Sequence, residues 1–574
     1  MRLMKETNGK IIKFKNTLDE ISAYANRKCD EGDYSAALYA LFYYTTRRNF
    51  LPDVYAQMAD IYAEMGLFDR AIEKWGEFLA LSDEDRYADG YNGLGANYFF
   101  KGDRERADYY FEKQFAYPGA EDCVYNDVVD EFLENPEINR SAEDDFRSRF
   151  KVAYSSDGKI RCDELIEEAR GYNAAGNYPK AIERASEAAK DDRLKGEAFF
   201  QKAFAEFASN DASSAARDMT IALEGMGDKA DVKELTLAAL VYGAVSDEEN
   251  KNRALDKLEN VKADDEDGRS KHVAIFYEFG RNASAEKLLK RYLDEFPYEY
   301  GLLFLKGAAA YNRGDYDAAE RAFSEGYAYS ESPILLYYKE EAFKAREGGA
   351  AIEKVGAAFS LPDSVVTERT TVIAKLYRKE MKIADIGAPL AKKYFDWAIS
   401  TGNESLQIAV GLTCMSSGEP FRKYLAKKLT LLTLDDDVKR KYLSMLSQRH
   451  YNFGVGVIFD GYYKRVAVDM PYFDERGLEI FSAAYAYAVG FCAMLFDCDF
   501  EKFYYKSQDL QRELISKRAI GKIKDPRVLA CAMFLYSRAI VMRSGTKQLI
   551  YEFFGATKES VDEILAYTKA KEKV

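Results

Sequence analysis

Tyr311-Asn312-Arg313-Gly314-Asp315-Tyr316-Asp317-Ala318-Ala319-Glu320-Arg321-Ala322-Phe323 reads as the end of one helix, a tight Gly-Asp turn and the start of a second helix. The same turn stands at Glu31-Gly32-Asp33-Tyr34-Ser35-Ala36-Ala37, at Gly66-Leu67-Phe68-Asp69-Arg70-Ala71 and at Gly176-Asn177-Tyr178-Pro179-Lys180-Ala181. Looser copies begin at Gly102, Asn210 and Gly280. The alanines that fix the phase are Ala37, Ala71, Ala107, Ala181, Ala215, Ala285 and Ala319, at spacings of 34, 36, 74, 34, 70 and 34. A helix–turn–helix unit recurring near every 34 residues means a stack of helix pairs, because one pair cannot bury its apolar face alone. The two long gaps each leave room for one degenerate copy.

Small residues recur within each unit. Ala25, Ala59 and Gly95 precede the matching alanine of the second helix by 12 residues, so both helices carry a small side chain where they cross. Tyr62, Trp75, Phe78, Tyr98 and Phe111 are of a size to fill the gaps between neighbouring pairs. By residue type and spacing the first 360 residues resemble the tetratricopeptide repeat family. The resemblance implies an α-solenoid: a first block over 18–121, an acidic degenerate repeat or linker over 122–161, and a second block over 162–360. A last pair is expected at Leu335–Ala345 and Ala350–Phe359. Glu121–Asp145 holds ten acidic residues and one basic one, a pattern that reads as a solvated face.

Beyond Pro362 the period is lost. Arg422–Leu432 and Val438–Ser447 resemble a HEAT-type helix pair. Val455–Phe459, Asp460-Gly461 and Tyr462–Val468 read as a β-hairpin with an Asp-Gly turn. Ile480–Phe496 is nearly all apolar but shorter than the roughly 20 residues of a membrane span, and acids flank it on both sides. It is expected to be a buried helix of a mainly helical domain over 361–574. The predicted fold is therefore all-α, with a single hairpin at 455–468.

Composition narrows the function. The 574 residues are 47% apolar and 31% charged, which makes a globular chain. The net charge is −14. The 33 Lys+Arg and 25 Asp+Glu of residues 365–574 make that part basic by 8, and residues 1–364 are acidic by 22. An acidic surface repels phosphate backbones and argues against nucleic acid on the repeats. Seven cysteines, with no Cys-x-x-Cys pair and no signal-peptide core before them, point to a reducing compartment, the cytoplasm. His272 and His450 are the only histidines, too few for a metal site or a catalytic pair. No phosphate-binding loop is present. Neither catalysis nor a metal nor a cofactor is expected.

Function is then sought on surfaces. The tetratricopeptide resemblance implies a concave face lined by the first helices, with a protein or peptide partner as its occupant. The phase places Asn26 and Asp60 in one inward row and Asn92 in a parallel one. In the second block it places Phe200, Phe204, Phe207, Phe304 and Tyr311 inward, a stripe suited to a partner helix or peptide. A membrane-associated scaffold using 480–496 is a second alternative. The first is a transcriptional or nucleic-acid-associated regulator with the repeats as sensor. Its surface would be the basic residues Arg512, Lys517, Arg518, Lys522, Lys524 and Arg527. The stretch from Gly545 to Leu565 after them resembles a helix-turn-helix, and Asp525–Ala532 resembles a cyclin-type repeat. The second helix carries Lys558, Glu559, Ser560, Asp562 and Glu563, a net acidic set unlike one that reads base edges.

Overall fold

A computed structural model describes residues 18–47, 51–133, 162–448, 454–494, 498–540 and 546–568. Of the acidic stretch over 122–161, only residues 122–133 fall within these bounds, and His450 lies outside them. The repeat turn is local chemistry. Gly314 has φ +81°, and its N–H donates to the Tyr311 carbonyl at 2.9 Å, while Asp315 N–H reaches back to the Ala310 carbonyl at 3.0 Å. A left-handed residue at this place closes the carbonyls that the ending helix leaves open, and glycine adopts it without steric cost. The Asp315 carboxylate then accepts the Ala318 N–H at 3.0 Å and caps the next helix. Asn210 (φ +67°) and Ser246 (φ +58°) hold the glycine's place in two other turns, which is why those copies are faint in sequence.

The turns join paired helices. In the first block these are α1 (Leu18–Asp30) with α2 (Tyr34–Arg47), α3 (Pro52–Glu64) with α4 (Phe68–Leu81), and α5 (Tyr87–Phe100) with α6 (Arg104–Gln114), followed by α7 (Asn126–Leu133). In the second block they are α8 (Cys162–Ala174) with α9 (Tyr178–Ala188), α10 (Lys195–Ala208) with α11 (Ala212–Met226), and α12 (Val232–Ala244) with α13 (Glu248–Leu258). Then come α14 (Glu266–Glu278) with α15 (Asn282–Glu295), α16 (Tyr300–Asn312) with α17 (Tyr316–Ser330), and α18 (Pro333–Arg346). All seven phase-setting alanines are fully buried. Their partners are as tightly held: a Cβ on Gly307 would stand 2.5 Å from the Phe323 ring. The second helix expected at Ala350–Phe359 does not form; those residues are irregular, with bends at Glu353 and over 357–360.

The chain divides into two compact units. One joins residues 1–150 to 362–574, and the other is 151–361. In the first unit the C-terminal helices share a body with the first repeats. They are α19 (Asp363–Tyr377), α20 (Ile383–Ile386), α21 (Ala388–Ser400), α22 (Glu404–Ser416), α23 (Glu419–Lys427) and α24 (Asp436–Gln448), then α25 (Leu478–Met494), α26 (Phe500–Ser516), α27 (Pro526–Ser537), α28 (Thr546–Phe554) and α29 (Lys558–Leu565). The apolar run is α25. Phe481, Ala484, Val489 and Cys492 are fully buried, with α24 and α27 packed on the helix. No helix among the described residues is long and apolar enough to cross a membrane.

The hairpin is β1 (Gly454–Phe459) with β2 (Tyr462–Ala467), antiparallel, Phe459 facing Tyr462. It packs on α4, and its turn is caught by the first repeats. Tyr98 and Tyr110 hydroxyls donate to the Gly461 carbonyl at 2.8 and 2.6 Å, and Tyr110 accepts the Tyr463 N–H at 2.6 Å. Arg106 donates to the Asp460 carbonyl and to its carboxylate, both at 2.9 Å. These contacts join residues some 350 positions apart.

Candidate functional site

In the second unit the first-helix face is occupied by the chain itself. Tyr300, Phe304 and Tyr311 share one face of α16, since they are four and then seven residues apart. The irregular residues after α18 run back along this face, from Tyr311 and Asn312 toward Tyr300. Ile352 N–H donates to the Tyr311 hydroxyl at 3.0 Å. The Asn312 carboxamide takes both backbone groups of Val355: Nδ2–H donates to the carbonyl and Oδ1 accepts the N–H, each at 2.8 Å. Phe359 packs on Tyr300 and Phe304 with ring centroids 5.4 and 5.1 Å apart. Tyr338 of α18 donates to the Ser360 carbonyl at 2.9 Å. An amide that satisfies both polar groups of one residue holds a strand without reading its side chain.

Two sequence candidates, Phe304 and Tyr311, thus meet on one segment. Both are buried, Phe304 also against Phe323 and Tyr338. Asn312 and Tyr338 carry as much of this geometry and were not among the candidates. Asn312 ends α16 beside Tyr311, in the stretch that defines the repeat, and its only signal was that position. On α10, Phe200 is buried with the Lys233 ammonium 5.3 Å from its ring, Phe207 is half-buried, and Phe204 is 38% exposed.

In the first unit the polar row is engaged internally. Asn26 accepts from Gln57 at 2.6 Å. Asp60 accepts from the Tyr125 hydroxyl at 2.7 Å, and burial raises its carboxyl above the usual range. Asn92 is buried, donating to Gln114 and accepting the Tyr125 N–H.

The basic candidates are exposed around the turn between α26 and α27. Arg512 pairs with Asp509 at 3.2 Å and Arg527 with Asp525 at 3.1 Å, while Lys522 donates to the Tyr567 hydroxyl at 3.0 Å. Among the described residues, Lys517, Arg518 and Lys524 have no carboxylate partner. The helix pair α28–α29 buries Ile550, Phe554, Val561 and Ile564, and Phe554 meets Phe491 of α25 at 5.2 Å.

The histidine among the described residues is explained by packing. His272 is fully buried, with Nε2 at 2.9 Å from the Leu258 carbonyl and Nδ1 at 2.9 Å from the Tyr292 hydroxyl. Tyr292 also accepts the Ala263 N–H at 3.0 Å. The set closes with Nε2–H donating to Leu258 and Nδ1 accepting from Tyr292. Burial pushes this imidazole down to about 4. No group of three or more His, Cys, Asp or Glu among the described residues is placed to hold a metal ion.

The decisive observation for the fold is the left-handed turn inside each helix pair, in several pairs followed by an aspartate cap, with the buried alanine of each second helix at the crossing. The repeats are of the tetratricopeptide type. Comparison with protein-family models and with curated proteins finds no match. Among solved structures, the chain aligns with the TPR2AB domain of yeast Sti1 in its pHSP90 complex at 16% identity, over 50% of this chain and 97% of that one, TM-score 0.18. It aligns with human IFIT1 dimer bound to PPP-AAAA at 13% identity over 76% and 91%, TM-score 0.26. Yeast Tom70 aligns at 12% identity over 95% of both chains, TM-score 0.20. At these TM-scores the alignments carry no argument, and the tetratricopeptide assignment rests on the helix pairs themselves.

Proposed function

We propose that this chain is a non-catalytic protein-interaction adaptor of a reducing compartment, the cytoplasm, which holds a partner's peptide segment on the first-helix face of its second repeat block. The observation that supports it is the seating of residues 351–361. α16 and α18 hold a non-helical segment through backbone-directed hydrogen bonds and an aromatic slot, the chemistry of peptide capture. Phe204 places an exposed aromatic ring on another first helix of the same unit.

The test is affinity capture with the full chain from a source lysate, with and without nuclease. Wild type is compared with Phe204→Asp/Asn312→Ala and with Lys517→Glu/Lys524→Glu. A polypeptide partner lost only in the first variant, whatever the nuclease treatment, is the expected result. A partner set lost in the second variant, or removed by nuclease, contradicts it.

A regulator that binds nucleic acid through the basic turn is the second reading. Its support is the exposure of Lys517, Arg518 and Lys524 without carboxylate partners. It requires affinity for RNA or DNA that falls steeply with salt.

A further inference from the structure

Where the repeat order calls for a second helix after α18, the chain instead lays Ala351–Leu361 along α16. Four contacts hold it: Tyr311 on Ile352 N–H, Asn312 on both backbone groups of Val355, the Tyr300–Phe304 slot around Phe359, and Tyr338 on the Ser360 carbonyl. Three of the four address the backbone, and the Val355 and Leu361 side chains of the segment are themselves buried. The fourth reads one aromatic ring, four residues after the clamped residue. Phe359 is still 36% exposed, so its slot is open on one side. Gly348 and Gly349 lead into the segment and Gly356 lies within it. None of the three glycines favours a helix here, and Gly348 and Gly349 close the end of α18, their N–H groups donating to the Ala345 and Lys344 carbonyls at 3.1 and 2.9 Å.

We infer that Ala351–Leu361 is a resident peptide, and that the α16–α18 face exchanges it for an extended partner segment carrying an aromatic residue four positions after its Asn312-clamped residue. This rests on the reading of that face as peptide-binding. The resident segment is tethered, and a short tether supplies an effective concentration of about a millimolar. A free peptide of the same sequence therefore competes poorly until the resident one is weakened. Regulation follows from geometry, since whatever loosens the segment opens the site.

The experiment uses the full chain and a fluorescein-labelled peptide of residues 350–361, read by anisotropy. Val355→Pro removes the N–H that Asn312 accepts, and Phe359→Ala empties the aromatic slot. Both leave the face intact. Wild type should bind the probe only near millimolar concentration, each variant at least tenfold more tightly, and Asn312→Ala added to Val355→Pro should reverse the gain. Equal binding by wild type and both variants overturns the inference, as does a gain that Asn312→Ala leaves untouched. Collapse of both variants in a thermal melt also overturns it, since the segment is then a fixed part of the fold. Amide exchange over 351–361 separates the two possible failures. A segment that lets go while the probe stays unbound contradicts the peptide-binding reading itself. A segment that stays protected in both variants contradicts only its exchange.

Discussion

Single residues carry the phase of this fold. Gly307 crosses α17 where the Phe323 ring leaves no room for a Cβ, so Gly307→Val should lose about 1–3 kcal/mol by overpacking, read as a lower denaturant midpoint. His272 makes a pH prediction. Its imidazole is held neutral down to about 4, against an ordinary value near 6.5. Between those values the unfolded chain binds the proton and the folded chain does not, so stability falls as pH drops from 6.5 toward 4. The loss is on the order of 3 kcal/mol at about 1.4 kcal/mol per pH unit. Denaturation of wild type at pH 7 and pH 4.5 should differ more than that of His272→Gln. An equal difference would show that other groups govern acid sensitivity. The turns were legible in sequence because their chemistry is local: a left-handed glycine, then a capping aspartate. Asn210 and Ser246 do the same work with other residues, and those copies were correspondingly faint.

At the scale of elements, the hairpin turn was legible and its docking was not. Asp460-Gly461 marks the turn in four residues of context, but Tyr98, Arg106 and Tyr110 lie far away in sequence and carry no mark of what they hold. Tyr110→Phe should leave the Gly461 carbonyl with one partner fewer and the Tyr463 N–H with none, a cost of about 1–3 kcal/mol. Arg106→Ala should raise amide exchange over 454–467 and over α6 together. A rise confined to α6 would mean that the hairpin holds by β1 on α4 alone. Residues 350–359 show the opposite failure. The repeat order led to the expectation of a second helix there, as the partner of Leu335–Ala345. Gly348, Gly349 and Gly356 oppose one, and Asn312 and Tyr311 supply the backbone partners that a non-helical chain needs.

At the scale of the molecule, a mostly acidic first part is followed by a C-terminal part with a basic turn. The working contact proposed above lies on the first-helix face of the second block. Phe304 and Tyr311, picked from the repeat phase, pack against Phe359 and Ile352 of the chain itself. The most direct test is photo-crosslinking in lysate from full chains carrying a benzophenone side chain at Phe204 or at Lys524. If that face is the working one, position 204 gives adducts with a polypeptide, unchanged by nuclease and reduced by Asn312→Ala. Adducts formed only from position 524, or adducts that nuclease removes, would contradict it.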